Sequence, residues 1–368
     1  MPRSMQHDRQ LFGVTLALCL IGAVMVFSAS AVTAREHYHY GAYFFLRQVL
    51  FLGLGCAAMF WLMNVDYRKL RQPQVIFSGL AGVLVLLIGV LFLDRSHATL
   101  RWVRLGPASL QPSELAKLVV ILYLGWFLER RRLPEKFTGS NIVHTLLPAL
   151  APVTLMMVLV LMEPDLGTAC LIFVTILAML FIAGISVRYL GYAAVALVPV
   201  MYLLIVCFPY RYARIVAFWS PEADPQGHGF QLLQSLIAVG SGGLTGVGLM
   251  ESHQKLFYLP EAHTDFIYAV LCEEMGYIGA LAVLALFAWY GWRGLRASLR
   301  APDDFGKFLG LGITTMVVSQ ALINLSVVLG LVPTKGISLP FVSYGGTSLL
   351  VMLIATGVLL NISQHAEE

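Results

Sequence analysis

Charge is scarce in this chain. Lys, Arg, Asp and Glu make up 12% of its 368 residues, against roughly 25% in soluble domains, which excludes a water-exposed surface over most of its length. Cysteine is scarce too. Cys19, Cys56, Cys170, Cys207 and Cys272 all lie inside apolar stretches without metal-ligand spacing, so neither a disulfide framework nor a redox site is expected. No fixed-period repeat and no low-complexity linker divides the sequence, and residues 1–368 read as a single integral membrane domain. The glycine-rich stretch Gly240–Gly248 lacks the Lys-Ser/Thr ending and strand–turn–helix setting of a phosphate loop. Close chain packing or mobility is the alternative reading.

What the chain has instead is apolar length. Hydrophobic residues make up 58%, with mean hydropathy +0.79, and a bilayer core about 30 Å thick needs about 20 such residues per helix. Ten spans are predicted, near 11–30, 43–63, 74–93, 113–128, 142–162, 166–185, 187–208, 265–290, 308–331 and 342–362. The fold class is therefore an all-α polytopic membrane protein. Arg3 and Arg9 precede the first apolar run as they would in a secretory signal, but the run is long and nine more follow, so it reads as a retained helix. Placing the N-terminus in the cytoplasm puts fourteen Lys and Arg inside and ten outside, in the sense of the positive-inside rule. Both termini are then cytoplasmic. The longest polar region, residues 209–264, becomes a large extracytoplasmic loop between the seventh and eighth spans, and loops of that length usually carry function.

Ionisable groups at a membrane edge are costly to keep, so they mark where function should be sought. The densest group runs from Glu261 and His263 through Asp265 to Glu273 and Glu274. Asp265 lies where the polar loop meets an apolar run. Partial desolvation there would make it a proton acceptor near neutral pH, whereas the plainer reading is a helix N-cap. Glu273, about two turns further on, reads as a buried structural support or ion-pair partner. Glu114 and Lys117 share a helix face at i,i+3. They form an internal salt bridge, or else Lys117 joins Arg101 and Arg104 in meeting an anionic headgroup. Trp102 is a belt aromatic or a ligand platform. The tight turn Glu163-Pro164-Asp165 carries two acids that turning does not require, suited to a cation or to outer-loop arginines. Arg211, Arg214 and Lys255 in the large loop are further substrate contacts. The Pro- and Gly-rich segment 332–348, with Lys335 and Ser343, suits irregular backbone lining a cavity. His37 and His39 have no other ligands nearby in sequence, and no metal site is expected there.

Five ordered stretches carry a resemblance: FSAS at 27–30, LQPSELAKL at 110–118, EPDLGT at 163–168, QKLFYLPEAHTDFIYAVLCEEMGYIG at 254–279 and LVPTKGISLPFVSYGGTSLL at 331–350. Together they resemble the SEDS family of shape, elongation, division and sporulation proteins over nearly the whole chain, the division branch most closely. The resemblance implies a peptidoglycan glycosyltransferase that polymerises lipid II at the outer face of the bacterial cytoplasmic membrane. It also implies ten spans and an essential Asp before the eighth, which matches Asp265. The implied partners are lipid II, the growing lipid-linked glycan strand, a class B penicillin-binding protein transpeptidase and other division-complex membrane proteins, with no nucleic acid. No cofactor is firmly implied; a divalent cation, Mg or Mn, is the candidate. Two other function classes stay open: a transporter that flips lipid II, and a non-enzymatic scaffold of the division complex.

Overall fold

The computed structural model describes residues 7–93, 101–105, 108–131, 144, 146–227 and 229–366, with residues 93, 104, 105 and 108 described as backbone only. Apolar runs form the helices, and short polar residues start them. In α1 (Arg9–Tyr38) the Asp8 carboxylate accepts from the Gln10 and Leu11 amides at 3.0 Å, satisfying donors that the helix itself leaves free. Next come α2 (Tyr43–Met63), α3 (Pro73–Leu93) and α4 (Pro112–Arg130). Proline stands at the first position of α3 and α4, where its missing N–H costs nothing. Between α3 and α4 a two-stranded antiparallel hairpin pairs Val103–Leu105 with Ala108–Leu110, Arg104 opposite Ser109. Then follow α5 (Leu147–Met162), α6 (Leu166–Ile182) and α7 (Val187–Val206). Asp165 caps α6 by accepting from the Thr168 amide at 3.1 Å.

The region 209–264 is more structured than the long polar loop the sequence suggests. It holds α8 (Pro209–Trp219), a single 3-10 turn (Pro221–Ala223) and α9 (Phe230–Ser241). The chain ends in α10 (Ile267–Leu299), α11 (Asp304–Val328) and α12 (Gly346–His365). Hydropathy ends two helices early: α1 near 30 where it runs to Tyr38, and α10 near 290 where it runs to Leu299. The last turns of α10 carry Arg293 and Arg296, and a helix can continue past the apolar zone once its charged side chains reach water.

By length and composition, seven of the described helices can cross a membrane: α1, α2, α3, α7, α10, α11 and α12. The apolar helices α5 and α6 are shorter, while α4 carries Glu114, Lys117, Glu129 and Arg130. The architecture is that of an all-α polytopic membrane protein. Helices α11 and α12 sit deepest, α12 along α2 and α11 between α10 and α4. Helix α7 has no buried residue at all. Large apolar side chains such as Leu50, Val85, Phe92 and Val195 face outward, as a lipid solvent permits.

One break organises the end of the bundle around residues 243–278. Within α10, Gly276 has φ 65° and ψ −166°, a region open essentially to glycine alone. The backbone groups freed by the break are taken up by the chain at 243–248. The Tyr277 amide donates to Gly243 O (2.9 Å) and the Ile278 amide to Leu244 O (3.2 Å), while the Val247 and Gly248 amides donate to Glu273 O (3.0 Å) and Glu274 O (3.1 Å). A Cβ on Gly246 would stand 2.1 Å from the Glu274 carbonyl. The glycine-rich stretch is thus a backbone clamp. Gly276→Ala is expected to lower the thermal midpoint of the purified protein in detergent, the strained conformation alone costing on the order of 1–3 kcal/mol. Gly13→Ala, at an exposed helical position with open space around it, should not; a thermal melt of the two variants beside the parent reads the difference.

Candidate functional site

Polar side chains inside the bundle collect where four non-helical pieces meet: the approach to the hairpin at Arg101, the turn 163–165, the loop 250–266 and the segment 332–345 between α11 and α12. That last segment is irregular backbone, which in a membrane protein must be satisfied by other groups. Asn324 of α11 donates both to Ile337 O and to Asp265 O, each at 2.7 Å. Gln320, one turn earlier, donates to Ser338 O (2.9 Å) and accepts from Lys117 Nζ (2.7 Å). Gln48 of α2 donates to Ser343 O (3.2 Å), and Arg214 of α8 to Thr334 O (3.1 Å). Ser343 Oγ accepts from the Leu339 amide (2.8 Å) and donates to Thr264 O (2.6 Å), and the Tyr344 amide donates to His263 O (3.0 Å). Together these bonds pin both sides of Asp265.

The Asp265 carboxylate lies over Gly336, where an added Cβ would be 2.7 Å from Oδ2. It is partly accessible. Desolvation, reinforced by the negative charges of Glu261 and Asp165 and opposed by Arg214 and Arg101, pushes its pKa up to about 7. Glu261 is exposed, in a left-handed conformation at φ 56°, and accepts from Thr264 Oγ1 at 2.8 Å. The His263 ring packs on Phe44 (4.8 Å) and Tyr344 (5.7 Å), and burial lowers its pKa.

Opposite stands the acidic turn. Arg101 donates to Glu163 O (2.9 Å) and Pro164 O (2.5 Å), holding the turn by its carbonyls. Asp165 accepts from Thr168 Oγ1 (2.8 Å) and Gln111 (3.4 Å). Glu163 is fully buried and, among the described residues, neither carboxylate oxygen has a hydrogen-bond partner; its pKa is raised to about 8 by desolvation first, then by Asp165, with Arg101 opposing. Gly167 sits so close to Ile337 that a Cβ would meet it at 2.8 Å, which docks this turn on the 332–345 segment. Arg211 donates to Leu204 O (3.1 Å) and stacks over Phe208, and Arg214 stacks over Tyr210. Burial and then the neighbouring Arg101 charge lower the Arg211 pKa, so the three arginines crowd one region.

The remaining sequence candidates divide. Lys117 and Glu114 form a buried pair at 2.8 Å, tied to the site through Gln320. Lys335 lies next to Gly336, its ammonium 3.7 Å from Cys170 Sγ. Trp102 is half-buried beside Arg101. The side chain of Arg104 lies outside the described residues, although its backbone is in the hairpin. Lys255, expected at the substrate, is buried instead with its ammonium on Glu274 (2.9 Å) and Ser28 (3.1 Å). Glu273 accepts from the amides of His253 (3.0 Å) and Gln254 (3.3 Å) and from the Ser252 hydroxyl. Both glutamates of α10 therefore anchor the loop that carries Asp265. No three His, Cys, Asp or Glu side chains converge to hold a metal among the described residues, so the candidate divalent cation finds no protein ligand set there. Sequence reasoning missed Gln48, Gln320 and Asn324; the signal was there in Gln320 and Asn324, two amides at i,i+4 in an apolar span.

The family model for cell cycle proteins of the FtsW, RodA and SpoVE type matches residues 9–368. A probable peptidoglycan glycosyltransferase FtsW of Geobacter metallireducens is 42% identical over 361 residues, 97% of this chain and 95% of the relative. Stage V sporulation protein E of Bacillus subtilis is also 42% identical, over 98% and 97% of the two chains. Among solved structures, a chain from a peptidoglycan synthase complex superposes with a TM-score of 0.78 at 30% identity, covering 97% of each chain. The rod shape determining protein RodA of Thermus thermophilus gives 0.71 at 28% identity over the full length of both. Identity alone does not separate the division from the sporulation branch, but with a match along almost its entire length, this chain belongs to the SEDS family of FtsW, RodA and SpoVE cell cycle proteins.

Proposed function

We propose that Asp265 is the general base of lipid II polymerisation. The chain is a peptidoglycan glycosyltransferase of septal or lateral wall synthesis, as its family membership establishes. The observation that carries the role of Asp265 is its setting: a partly accessible carboxylate, held on both backbone sides, poised near neutrality and faced by arginines. In the step proposed, Asp265 takes the proton of the 4-hydroxyl of the acceptor N-acetylglucosamine. The freed oxygen forms a bond to C1 of the donor N-acetylmuramic acid. The C1–O bond to the undecaprenyl pyrophosphate breaks with inversion, and the electron pair leaves on the pyrophosphate. Arg101, Arg211 and Arg214, with Lys335, would stabilise that charge. Lys117 would act through Gln320 on the 332–345 segment. The lipid-facing helices would hold the two polyprenyl tails and so orient the sugars.

The same reading takes ten spans, counting α4, α5 and α6 with the seven long helices. Both termini are then cytoplasmic, and the 209–264 region with the site lies on the outer side of the cytoplasmic membrane. A class B penicillin-binding protein is the proposed partner. A flippase would also use intramembrane charge, but the pair of Glu114 and Lys117 is closed on itself and on Gln320 rather than strung along a path. A scaffold would not need a carboxylate kept near neutrality.

Purified protein with its transpeptidase partner, supplied with lipid II, is expected to polymerise at a rate that falls as pH drops through about 7, where Asp265 takes up its proton. Asp265→Asn should lower the rate by about 10²–10⁴-fold at pH 7.5 while the folded protein persists; polymerisation at the parent rate would overturn the assignment, and lipid movement without polymer in proteoliposomes would favour the flippase. Asn324→Leu strands the carbonyls of Asp265 and Ile337. It should cost about 1–3 kcal/mol of stability and reduce kcat more than KM, read by a thermal melt and steady-state kinetics.

A further inference from the structure

Among the described residues, Glu163 is the one buried acid near the site whose place neither the fold nor the proposed chemistry explains. Asp165 beside it caps α6, and Glu273 and Glu274 anchor the loop, each through a set of hydrogen bonds. Glu163 has no exposure, and among the described residues neither of its carboxylate oxygens has a hydrogen-bond partner. An ionised carboxylate so placed would carry a desolvation cost of several kcal/mol, whereas the neutral acid carries far less. The charged groups that act on it are Asp165 from its own turn and Arg101 from the approach to the hairpin. Arg101 holds this turn through the main-chain oxygens of Glu163 and Pro164, not through the Glu163 carboxylate. It also acts on Asp265 and Arg211.

We propose that Glu163 serves as a neutral carboxylic acid that sustains the positive potential of Arg101 toward the pyrophosphate, and that its ionisation switches that potential off. Glu163 is thus a positioning residue, acting through Arg101 and not on the reacting atoms. Loss of its proton sets a full negative charge against the guanidinium that holds the turn. The arginine cluster then attracts an anionic leaving group less well. The direction is fixed by the burial: Glu163 stays protonated through neutral pH and ionises near 8. One unit above that, only about a tenth of it keeps the proton. The inference rests on the glycosyltransferase reading for its kinetic arm and is independent of it for its binding arm.

The test compares the parent with Glu163→Gln, which keeps shape and neutrality but cannot ionise, and with Glu163→Ala. Polymerisation of lipid II by the complex with its transpeptidase is measured from pH 6 to 9.5, with thermal melts to confirm folding. The parent is expected to lose about tenfold in rate for each pH unit above 8. Glu163→Gln should carry the alkaline limb upward by at least about one unit, and Glu163→Ala should lower the rate across the range. Binding of inorganic pyrophosphate gives a readout without turnover. Parent affinity should fall several-fold from pH 7 to 9, and that of Glu163→Gln should fall by less than about twofold. Superimposable alkaline limbs with superimposable binding curves overturn the inference. So does a folded Glu163→Gln that loses activity or pyrophosphate binding at pH 7 as severely as Glu163→Ala, because the ionised carboxylate, as a cation ligand, would then be the working form. If Asp265→Asn keeps the parent rate while pyrophosphate binding still shows the Glu163 dependence, the base assignment fails and this inference stands.

Discussion

The half of the bundle that holds Asp265 depends on a single side-chain amide. Asn324, one turn from Gln320 on α11 and buried like it, donates to the carbonyls of Asp265 and Ile337 at once. Neither carbonyl belongs to a helix, and a backbone oxygen left unpaired in this interior would cost about 1–3 kcal/mol. By satisfying both, the amide ties the chain before α10 to the segment between α11 and α12. Ser343 and the Tyr344 amide repeat the tie from the other side. The carboxylate of Asp265 is held as a consequence of bonds to its own main chain, which leaves its side chain available for chemistry.

Charge around that point is balanced, not simply opposed. Arg101 and Arg214 favour the ionised form of Asp265, and Glu261 with Asp165 work against it. Desolvation adds to the effect of the two acids, outweighs the arginines and leaves the group near neutrality, where a base is most useful. The same kind of desolvation acts on Glu163 in the neighbouring turn. The two carboxyls thus differ in setting, one partly accessible and the other sealed. The buried pair of Glu114 and Lys117 contributes rigidity through Gln320; removing one partner of such a pair would cost more than the pair itself supplies.

The acidic cluster that stands out in the sequence separates into three physical tasks. Asp265 keeps a partly accessible carboxylate over Gly336. Glu261 shapes the turn before it, receiving the amides of Thr264 and Phe266 on its carbonyl. Glu273 and Glu274, beside the break at Gly276, fasten the loop that carries the other two. The fastening is mutual: the glycine-rich chain at 243–248 completes the hydrogen bonding of the broken helix, and the glutamates hold the loop that follows it. Lys255 is drawn into this arrangement because a buried Glu274 needs a counter-charge.

Much of this could be read without coordinates. Apolar runs of near-bilayer length dictate helices, and the helices stand where the runs are, because a backbone without water must bond to itself. Helix ends are less legible: α10 outlasts its apolar run by charged turns, and α8 and α9 arise in a region whose polarity conceals them. Asp265 was legible as a desolvated acid because local sequence alone puts it at a polar–apolar border. The allegiance of Lys255 was not, since only long-range packing brings Ser28 of α1 and Glu274 of α10 to it. Nor was the isolation of Glu163 legible, because the lack of a partner is a property of everything packed around a side chain. The sequence by itself determined the solvent, the helices and the residue types present at the outer edge. The tertiary structure decided which of those charges are paired, which are exposed to a ligand and which are sealed, because desolvation and pairing depend on distances that no one-dimensional pattern contains.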